Sequence, residues 1–87
     1  MSWEVILSKQ AIKDVQHIKQ AGLAKKLKVL LVLLQHDPFT IPPRYEPLVG
    51  NLKGFYSRRI SIKHRLVYAI DVDKRVVHVL RCWTHYE

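Results

Sequence analysis

Side-chain types that together can break a phosphodiester bond occur in the second half of this 87-residue chain. Glu46 is followed by Arg59 and Arg65, which lie in segments of strand-like alternation, and His85 stands beside Tyr86. A carboxylate can remove the proton of an RNA 2′-hydroxyl, arginine can stabilise the phosphate, and histidine can protonate the leaving 5′-oxygen. These residues predict a small enzyme that cleaves RNA without a metal ion.

The same residues also allow purely structural interpretations. Glu46 could be a solvated loop charge paired with Arg44, and Arg58 and Arg59 could be charges on an edge strand. Neighbouring residues of a strand point to opposite faces, so only one of these two arginines can line a cleft. Arg59 lies two residues after Ser57 and so shares its face of the strand, which favours Arg59 as the arginine that lines the cleft.

Four other histidines compete with His85 for the role of an acid. His17 and His36 fall on predicted helices, where we expect them at the surface. His64 begins a predicted strand, and His78 has the parity of an interior residue. Aromatic residues on both sides of His85 give a reason for it to be held in place.

The composition predicts a single basic domain over residues 1–87. The chain has a mass of 10.2 kDa, and 48% of its residues are hydrophobic, which is too many for a disordered chain. Its net charge is +8. Such a charge favours nucleic acid, an anionic membrane or an acidic protein as a partner.

The sequence also predicts a cytoplasmic location without a cofactor. The single cysteine, Cys82, excludes an intramolecular disulfide, and no Cys/His group has metal-ligand spacing. The N-terminal residues lack the features of a signal peptide. The longest apolar run, residues 29–34, is too short to span a bilayer.

Periodicity predicts an α+β fold of order β-α-α-β-β-β, in which a helical hairpin covers one face of an antiparallel sheet. A first strand covers Trp3–Leu7, a helix follows the N-cap Ser8 to about Gln20, and a second helix begins near Leu23 and ends at Asp37-Pro38. After a loop that contains Glu46, the period of the hydrophobic pattern changes to two residues, which is typical of strands. The three predicted strands cover about 54–61, 64–71 and 75–83.

Strand parity predicts which sheet face is buried. The core candidates are Leu66, Tyr68 and Ile70 on one strand and Val76, His78, Leu80 and Cys82 on the next. The opposite face carries Arg65 and Arg81, which cannot pack dry against the helices. We therefore expect a basic concavity beside the loop of Glu46.

Several motifs in order carry a resemblance to a known family. They are Pro47-Leu48, Asn51-Leu52, Gly54-Phe55-Tyr56-Ser57-Arg58-Arg59-Ile60, His64-Arg65-Leu66-Val67-Tyr68 and Trp83-Thr84-His85-Tyr86. They are similar to the YoeB/Txe family of bacterial toxins, within the RelE/ParE group of type II toxin–antitoxin systems. The resemblance covers the whole chain in length and element order, and it is densest from about Pro38 to Glu87.

The resemblance implies a microbial RNase-like, RelE-type fold and an mRNA endonuclease that acts at the ribosomal A site and inhibits translation. It implies a cognate antitoxin of the YefM/Axe type, and a toxin–antitoxin complex that binds operator DNA. Carried over residue by residue, Glu46 would be the general base, Arg65 the phosphate-stabilising cation and His85 the general acid. Tyr86 would shape the site and Arg59 would add a phosphate contact. A homodimer is also possible.

One position departs from the family pattern. Members often carry a lysine three residues after the glutamate, and this chain has Val49 there. Lys53 or Arg44 could replace the missing cation. Arg81, on the predicted outward face, is a further candidate for phosphate binding.

Two other functions stay open. The chain could be a non-catalytic nucleic-acid-binding corepressor, or a ParE-like inhibitor of gyrase. The combination of Glu46, arginines and His85 favours cleavage, because a protein that only binds nucleic acid needs cations alone.

Overall fold

The computed structural model describes residues 2–84. Its elements are β1 (Glu4–Leu7), α1 (Lys9–Gln20), α2 (Ala24–His36), β2 (Tyr45–Pro47), a 3-10 turn (Gly50–Leu52), β3 (Tyr56–Arg59), β4 (Arg65–Asp71) and β5 (Val76–Thr84). The strands form one sheet of order β1-β5-β4-β3-β2.

The predicted α+β fold is confirmed, with two corrections to the sheet. β1 pairs with β5 in parallel, so the sheet is mixed rather than antiparallel. A parallel pair needs a long crossover, and here the two helices supply part of it. The second correction is β2, a fifth strand in a region that we expected to be a loop. Both helices contribute buried side chains to a single core against the sheet.

Ser8 joins β1, α1 and β5 through one hydroxyl group. As predicted, it is the N-cap of α1: its oxygen accepts a hydrogen bond from the Ala11 N–H at 3.0 Å. The same hydroxyl donates to the Leu80 carbonyl of β5 at 2.8 Å. Gly22 then separates the helices at a φ of 74°, a conformation that glycine adopts without a steric penalty. The face of α2 that packs into the core carries its buried residues Leu27, Leu30 and Leu34.

The core face of β5 differs from the prediction. We expected Val76, His78, Leu80 and Cys82 inside. Val76 is buried as predicted, but Val77 and Val79 belong to the core cluster and His78 is exposed. Cys82 is buried as predicted. The strand therefore changes phase between Val79 and Cys82.

A β-bulge explains this change of phase. Val67 of β4 pairs with Arg81 and Tyr68 pairs with Val79, so the intervening Leu80 has no opposite residue on β4. An extra residue in one strand shifts the alternation of every residue beyond it. In the first half of β5, the face that packs against the helices is therefore the one that carries Val77 and Val79. Simple parity predicts the other face.

Arg58 connects the loop before β2 to the sheet. Its side chain is fully buried, and its Nε donates to the Tyr68 hydroxyl at 2.8 Å. Its terminal nitrogens donate to the backbone carbonyls of Pro38, at 2.7 Å, and Pro43. The guanidinium also lies 4.7 Å from the centroid of the Tyr45 ring. These contacts satisfy a permanently charged group in the interior, where it would otherwise be very costly.

Arg58→Met should lower the free energy of unfolding by about 3–5 kcal/mol, because a hydroxyl and two carbonyls lose their buried donor. Urea denaturation at neutral pH measures this loss. The matched control is Arg59→Met, which changes the exposed neighbour and should alter stability by less than about 0.5 kcal/mol. An equal loss of unfolding free energy in the two variants would show that the buried hydrogen bonds of Arg58 contribute no particular stability.

Candidate active site

β2 places the carboxylate of Glu46. Tyr45 pairs with Arg58, and Glu46 pairs with Ser57. Since side chains alternate along a strand, Tyr45 packs beside Arg58 on the helix side of the sheet, whereas Glu46 points to the open face. The expectation that Glu46 lies in a loop was therefore wrong in its local structure.

A cavity of about 330 Å³ opens beside Glu46. We call it the basic cleft; it is lined by Pro43, Arg44, Glu46, Ser57, Arg59 and Arg65. Three predicted site residues, Glu46, Arg59 and Arg65, are thus brought together. The prediction that Arg59 rather than Arg58 faces the cleft agrees with this lining.

Arg59 and Arg65 face each other directly across β3 and β4. Side chains in this relation have Cβ atoms roughly 4.5–5.5 Å apart, and like charges there repel each other. Among residues 2–84, neither arginine forms an ion pair or a side-chain hydrogen bond. Such a pair is suited to bind an anion, because a phosphate would accept hydrogen bonds from both guanidinium groups and reduce their repulsion.

Glu46 pairs only loosely with Arg44. The closest side-chain nitrogen and oxygen atoms are 4.0 Å apart, and the two side chains are 83% (Arg44) and 54% (Glu46) exposed. An exposed pair at this distance contributes little stability. The carboxylate therefore stays accessible from the cleft.

Arg44, rather than Lys53, is the additional cation of the cleft. Arg44 is one of the lining residues, whereas Lys53 follows the 3-10 turn and is not part of the lining. Val49 is 84% exposed and contributes no charge. Of the two replacements that the sequence left open, the structure favours Arg44.

Arg81 also lies outside the cleft lining. Its Nε donates to Asp14 Oδ2 of α1 at 2.8 Å, and a terminal nitrogen donates to Oδ1 at 3.3 Å. Asp14 is 1% exposed and also accepts hydrogen bonds from the Cys82 N–H and the Gln10 amide. Burial acts to raise the pKa of Asp14, but the hydrogen bonds from Arg81, Gln10 and Cys82 outweigh it and lower the pKa. Arg81 thus joins β5 to α1.

Asp14→Asn should lower stability at neutral pH by roughly 1–3 kcal/mol, because a charge-assisted hydrogen bond is lost. The lowered pKa means that the folded protein favours the charged carboxylate. This contribution is complete above the usual aspartate pKa of about 4 and is lost as the pH falls through the lower pKa of the folded state. Unfolding measured between pH 2 and 7 should show the difference between the two proteins shrinking below about pH 4. A constant difference at all pH values would contradict this.

The remaining predictions have mixed outcomes. His17 and His36 are exposed as predicted. His85 and Tyr86 lie outside the described residues. Burial, followed by the nearby Asp14 charge, raises the pKa of Cys82 to about 12, so this thiol is unsuited to nucleophilic chemistry.

Two further findings concern residues 2–84 alone. They contain no group of three or more His, Cys, Asp or Glu side chains that could hold a metal ion. Neither of their α-helices combines the length and apolar character needed to cross a membrane.

A second cavity, of about 300 Å³, lies between α2 and β3. It shares Arg59 with the basic cleft but has no carboxylate, and its other lining residues are Lys25, Lys26, Val29, Leu30 and Ile60. Without an acid or a histidine, this cavity has no group for proton transfer at neutral pH. The basic cleft is therefore the better candidate for catalysis.

Comparison with known proteins identifies the family. The family model for the YoeB-like toxin of bacterial type II toxin–antitoxin systems matches residues 7–86. The chain belongs to this family. It is thus a YoeB-like toxin of a type II toxin–antitoxin system, and the resemblance seen in its motifs is confirmed.

Relatives of this YoeB-like toxin include proteins named Toxin YoeB. The one from Synechocystis sp. is 40% identical over 65 residues, which cover 75% of this chain and 73% of the relative. The one from Escherichia coli strain K12 is 41% identical over 64 residues, or 74% of each chain.

Solved structures confirm the fold. A YoeB/ParE toxin from Agrobacterium tumefaciens has a TM-score of 0.83 at 27% identity, with 95% of this chain and 99% of that chain covered. The YoeB–YefM complex from Staphylococcus aureus gives 0.77 at 31% identity, and the YoeB dimer from the same organism gives 0.81 at 31%. In both cases 99% of this YoeB-like toxin and 100% of the other chain are covered.

Proposed function

We propose that this YoeB-like toxin is a metal-independent endoribonuclease that cleaves mRNA on the ribosome and so inhibits translation. The observation that carries the proposal is the basic cleft, where Glu46 lies beside the facing pair Arg59 and Arg65. A site that only bound nucleic acid would need the cations alone. The carboxylate among them supplies a group that can accept a proton.

Cleavage proceeds by attack of the RNA on itself. Glu46 takes the proton of a 2′-hydroxyl, and the 2′-oxygen forms a bond to the adjacent phosphorus. The bond from phosphorus to the 5′-oxygen breaks, and His85 donates a proton to that oxygen. The products are a 2′,3′-cyclic phosphate and a 5′-hydroxyl, and the reaction consumes no water. Tyr86, next to His85 in sequence, helps to shape the acid's surroundings.

Arg65 and Arg59 stabilise the negative charge that grows on the phosphoryl oxygens. Their side chains already lie opposite each other before substrate binds. Donors arranged in advance stabilise a transition state without the cost of reorganising at the moment of reaction. Their mutual repulsion is relieved when the phosphate enters, which favours binding of the anion.

Arg44 adds a third cation to this site. Arg44→Ala should reduce the rate of RNA cleavage by about 10-fold, since it removes one charge-assisted contact to the phosphate. The control is Lys53→Ala, which removes the same charge outside the cleft lining and should cost less than about threefold. The rates at which the Arg44→Ala and Lys53→Ala variants cleave mRNA on programmed ribosomes test this prediction. A larger loss for Lys53→Ala would reverse the assignment.

We further propose the partners of this toxin. The related S. aureus YoeB is found both with YefM and as a dimer. By analogy, a YefM/Axe-type antitoxin inhibits this chain in the cytoplasm, and the complex binds operator DNA. A net charge of +8 favours an acidic antitoxin segment, whose capture is fast and sensitive to salt. The free toxin is able to form a homodimer as well.

The catalytic assignment predicts that Glu46→Gln, Arg65→Ala and His85→Ala each slow cleavage by roughly 10²–10⁴-fold, the usual contribution of acid–base and electrostatic groups. Mapping of new 5′ ends on translated mRNA after induction measures cleavage, and growth measures toxicity. Lys74→Ala, an exposed change in the turn between β4 and β5, is the control and should stay fully toxic.

Equal toxicity of all three variants at equal protein levels would contradict the catalytic assignment. A block in DNA replication without new RNA ends would favour the gyrase-inhibitor alternative. Operator binding with neither effect would favour the corepressor.

A further inference from the structure

The second cavity, between α2 and β3, combines an apolar floor with positive charge. Leu30 and Ile60 belong to the hydrophobic core, so this part of the floor is held in place by the packing of the fold. Val29 completes the floor and is 65% exposed. Lys25 and Lys26 also line the cavity, and both are exposed. A group with a flat apolar part and a negative charge would match both features of this cavity.

The positive charge of this cavity is available to a ligand. Among residues 2–84, Lys25 and Lys26 form no ion pair, and no Asp or Glu belongs to the cavity lining. The lining includes Arg59, which is also part of the basic cleft. The two cavities are therefore adjacent, and a polyanion bound in the cleft can continue past Arg59 toward the two lysines.

Strand β3 gives this path a direction. Glu46 is paired with Ser57, and Arg59 lies two residues further along β3. Ile60, which lines the second cavity, comes next. In an in-line displacement, the attacking and leaving oxygens lie on opposite sides of phosphorus. The order of Glu46, Arg59 and the second cavity thus corresponds to the order of the 2′-hydroxyl, the phosphorus and the leaving 5′-oxygen.

We propose that the second cavity binds the mRNA nucleotide on the 3′ side of the cut. The base of this nucleotide packs on the apolar floor, and its own 3′-phosphate contacts Lys25 and Lys26. The volume of about 300 Å³ is at the lower end for a ligand cavity, which suits a single nucleotide. The inference rests on the proposed function, because it takes the phosphate in the basic cleft to be the one that is cut.

An acidic peptide is the competing occupant of this cavity. It could also contact the lysines, but it has no need to enter beside the basic cleft. The nucleotide 3′ of the cut, in contrast, is joined covalently to the phosphate that Arg59 and Arg65 bind. The adjacency of the two cavities through Arg59 therefore favours RNA.

The first test is single-turnover cleavage of mRNA on programmed ribosomes, with the toxin concentration varied. The double variant Lys25→Ala/Lys26→Ala should raise the half-saturating concentration by about 5- to 10-fold, since two exposed charge contacts are lost. The maximal rate should change by less than about threefold, because binding is lost and the reacting groups are intact. The matched control is Lys9→Ala/Lys13→Ala, which removes the same charge from exposed positions of α1 and should behave like the unmodified toxin.

A change in the mRNA identifies the group that the lysines contact. The cut is first mapped, and the phosphate one nucleotide further 3′ is then replaced by a neutral methylphosphonate linkage. This linkage should weaken binding of the unmodified toxin as much as the double lysine variant does. With both changes present, the further loss should be less than about twofold, because one contact can be lost only once.

The apolar floor has its own pair of variants. Val29→Asp should raise the half-saturating concentration by about 10-fold, because a carboxylate there repels the phosphate and spoils the surface for the base. Ile12→Asp is the control: Ile12 is 58% exposed on α1 and lines neither cavity, and this change should cost less than about threefold. Far-ultraviolet circular dichroism checks that both variants are folded.

Three results would overturn the inference. Multiplying effects of the lysine and linkage changes would show that the lysines contact another group, such as ribosomal RNA. An unchanged half-saturating concentration in both the double lysine variant and Val29→Asp would show that no nucleotide binds there. Normal cleavage combined with weaker inhibition by an acidic antitoxin would assign the cavity to that protein.

Glu46→Gln separates these failures from failure of the proposed function. If Glu46→Gln no longer cuts mRNA while the double lysine variant behaves like the unmodified toxin, only the assignment of the second cavity is wrong. Full activity of Glu46→Gln would instead remove the basic cleft as the site of cleavage, and the inference would fail with it.

Discussion

The buried guanidinium of Arg58 is the interaction on which the cleft depends. It binds two carbonyls of the loop that leads into β2, together with a hydroxyl of β4. β2 is only three residues long, so its own ladder is a weak anchor. Glu46 is held on the open face because the loop before it is fixed from the core. Lysine could not replace this arginine, because its single nitrogen cannot reach three acceptors in a planar arrangement.

Partners, rather than residue type, decide what each arginine of the sheet does. Arg58 has buried acceptors and supports the loop, whereas Arg81 has Asp14 and ties β5 to α1. Arg59 and Arg65 face each other across two strands. The two structural arginines are each matched by oxygen atoms of the protein, and the facing pair is arranged to receive oxygen atoms from a ligand. One chemical group thus serves stability in one place and, in the function we propose, catalysis in another.

Regular alternation made much of this architecture predictable from sequence. It gave both helices, the inward face of β4 and the choice of Arg59 over Arg58, because no extra residue is inserted into those segments. It missed β2, since three residues carry too short a pattern to indicate a strand. It reversed the first half of β5, because the bulge at Leu80 depends on pairing with β4 and has no signature in β5 itself. The acceptors of Arg58 and Arg81 were equally hidden, since they come from elements distant in sequence.

The position of β5 in the sheet has a consequence for folding during synthesis. β5 lies between β1 and β4, yet it follows both of them in the chain. Among residues 2–84, β1 has no other neighbour in the sheet, so Glu4 can pair only after Val76 has been synthesised. Contacts between such distant segments form slowly, because a long loop must close first. A nascent chain therefore cannot complete this sheet until β5 has been synthesised.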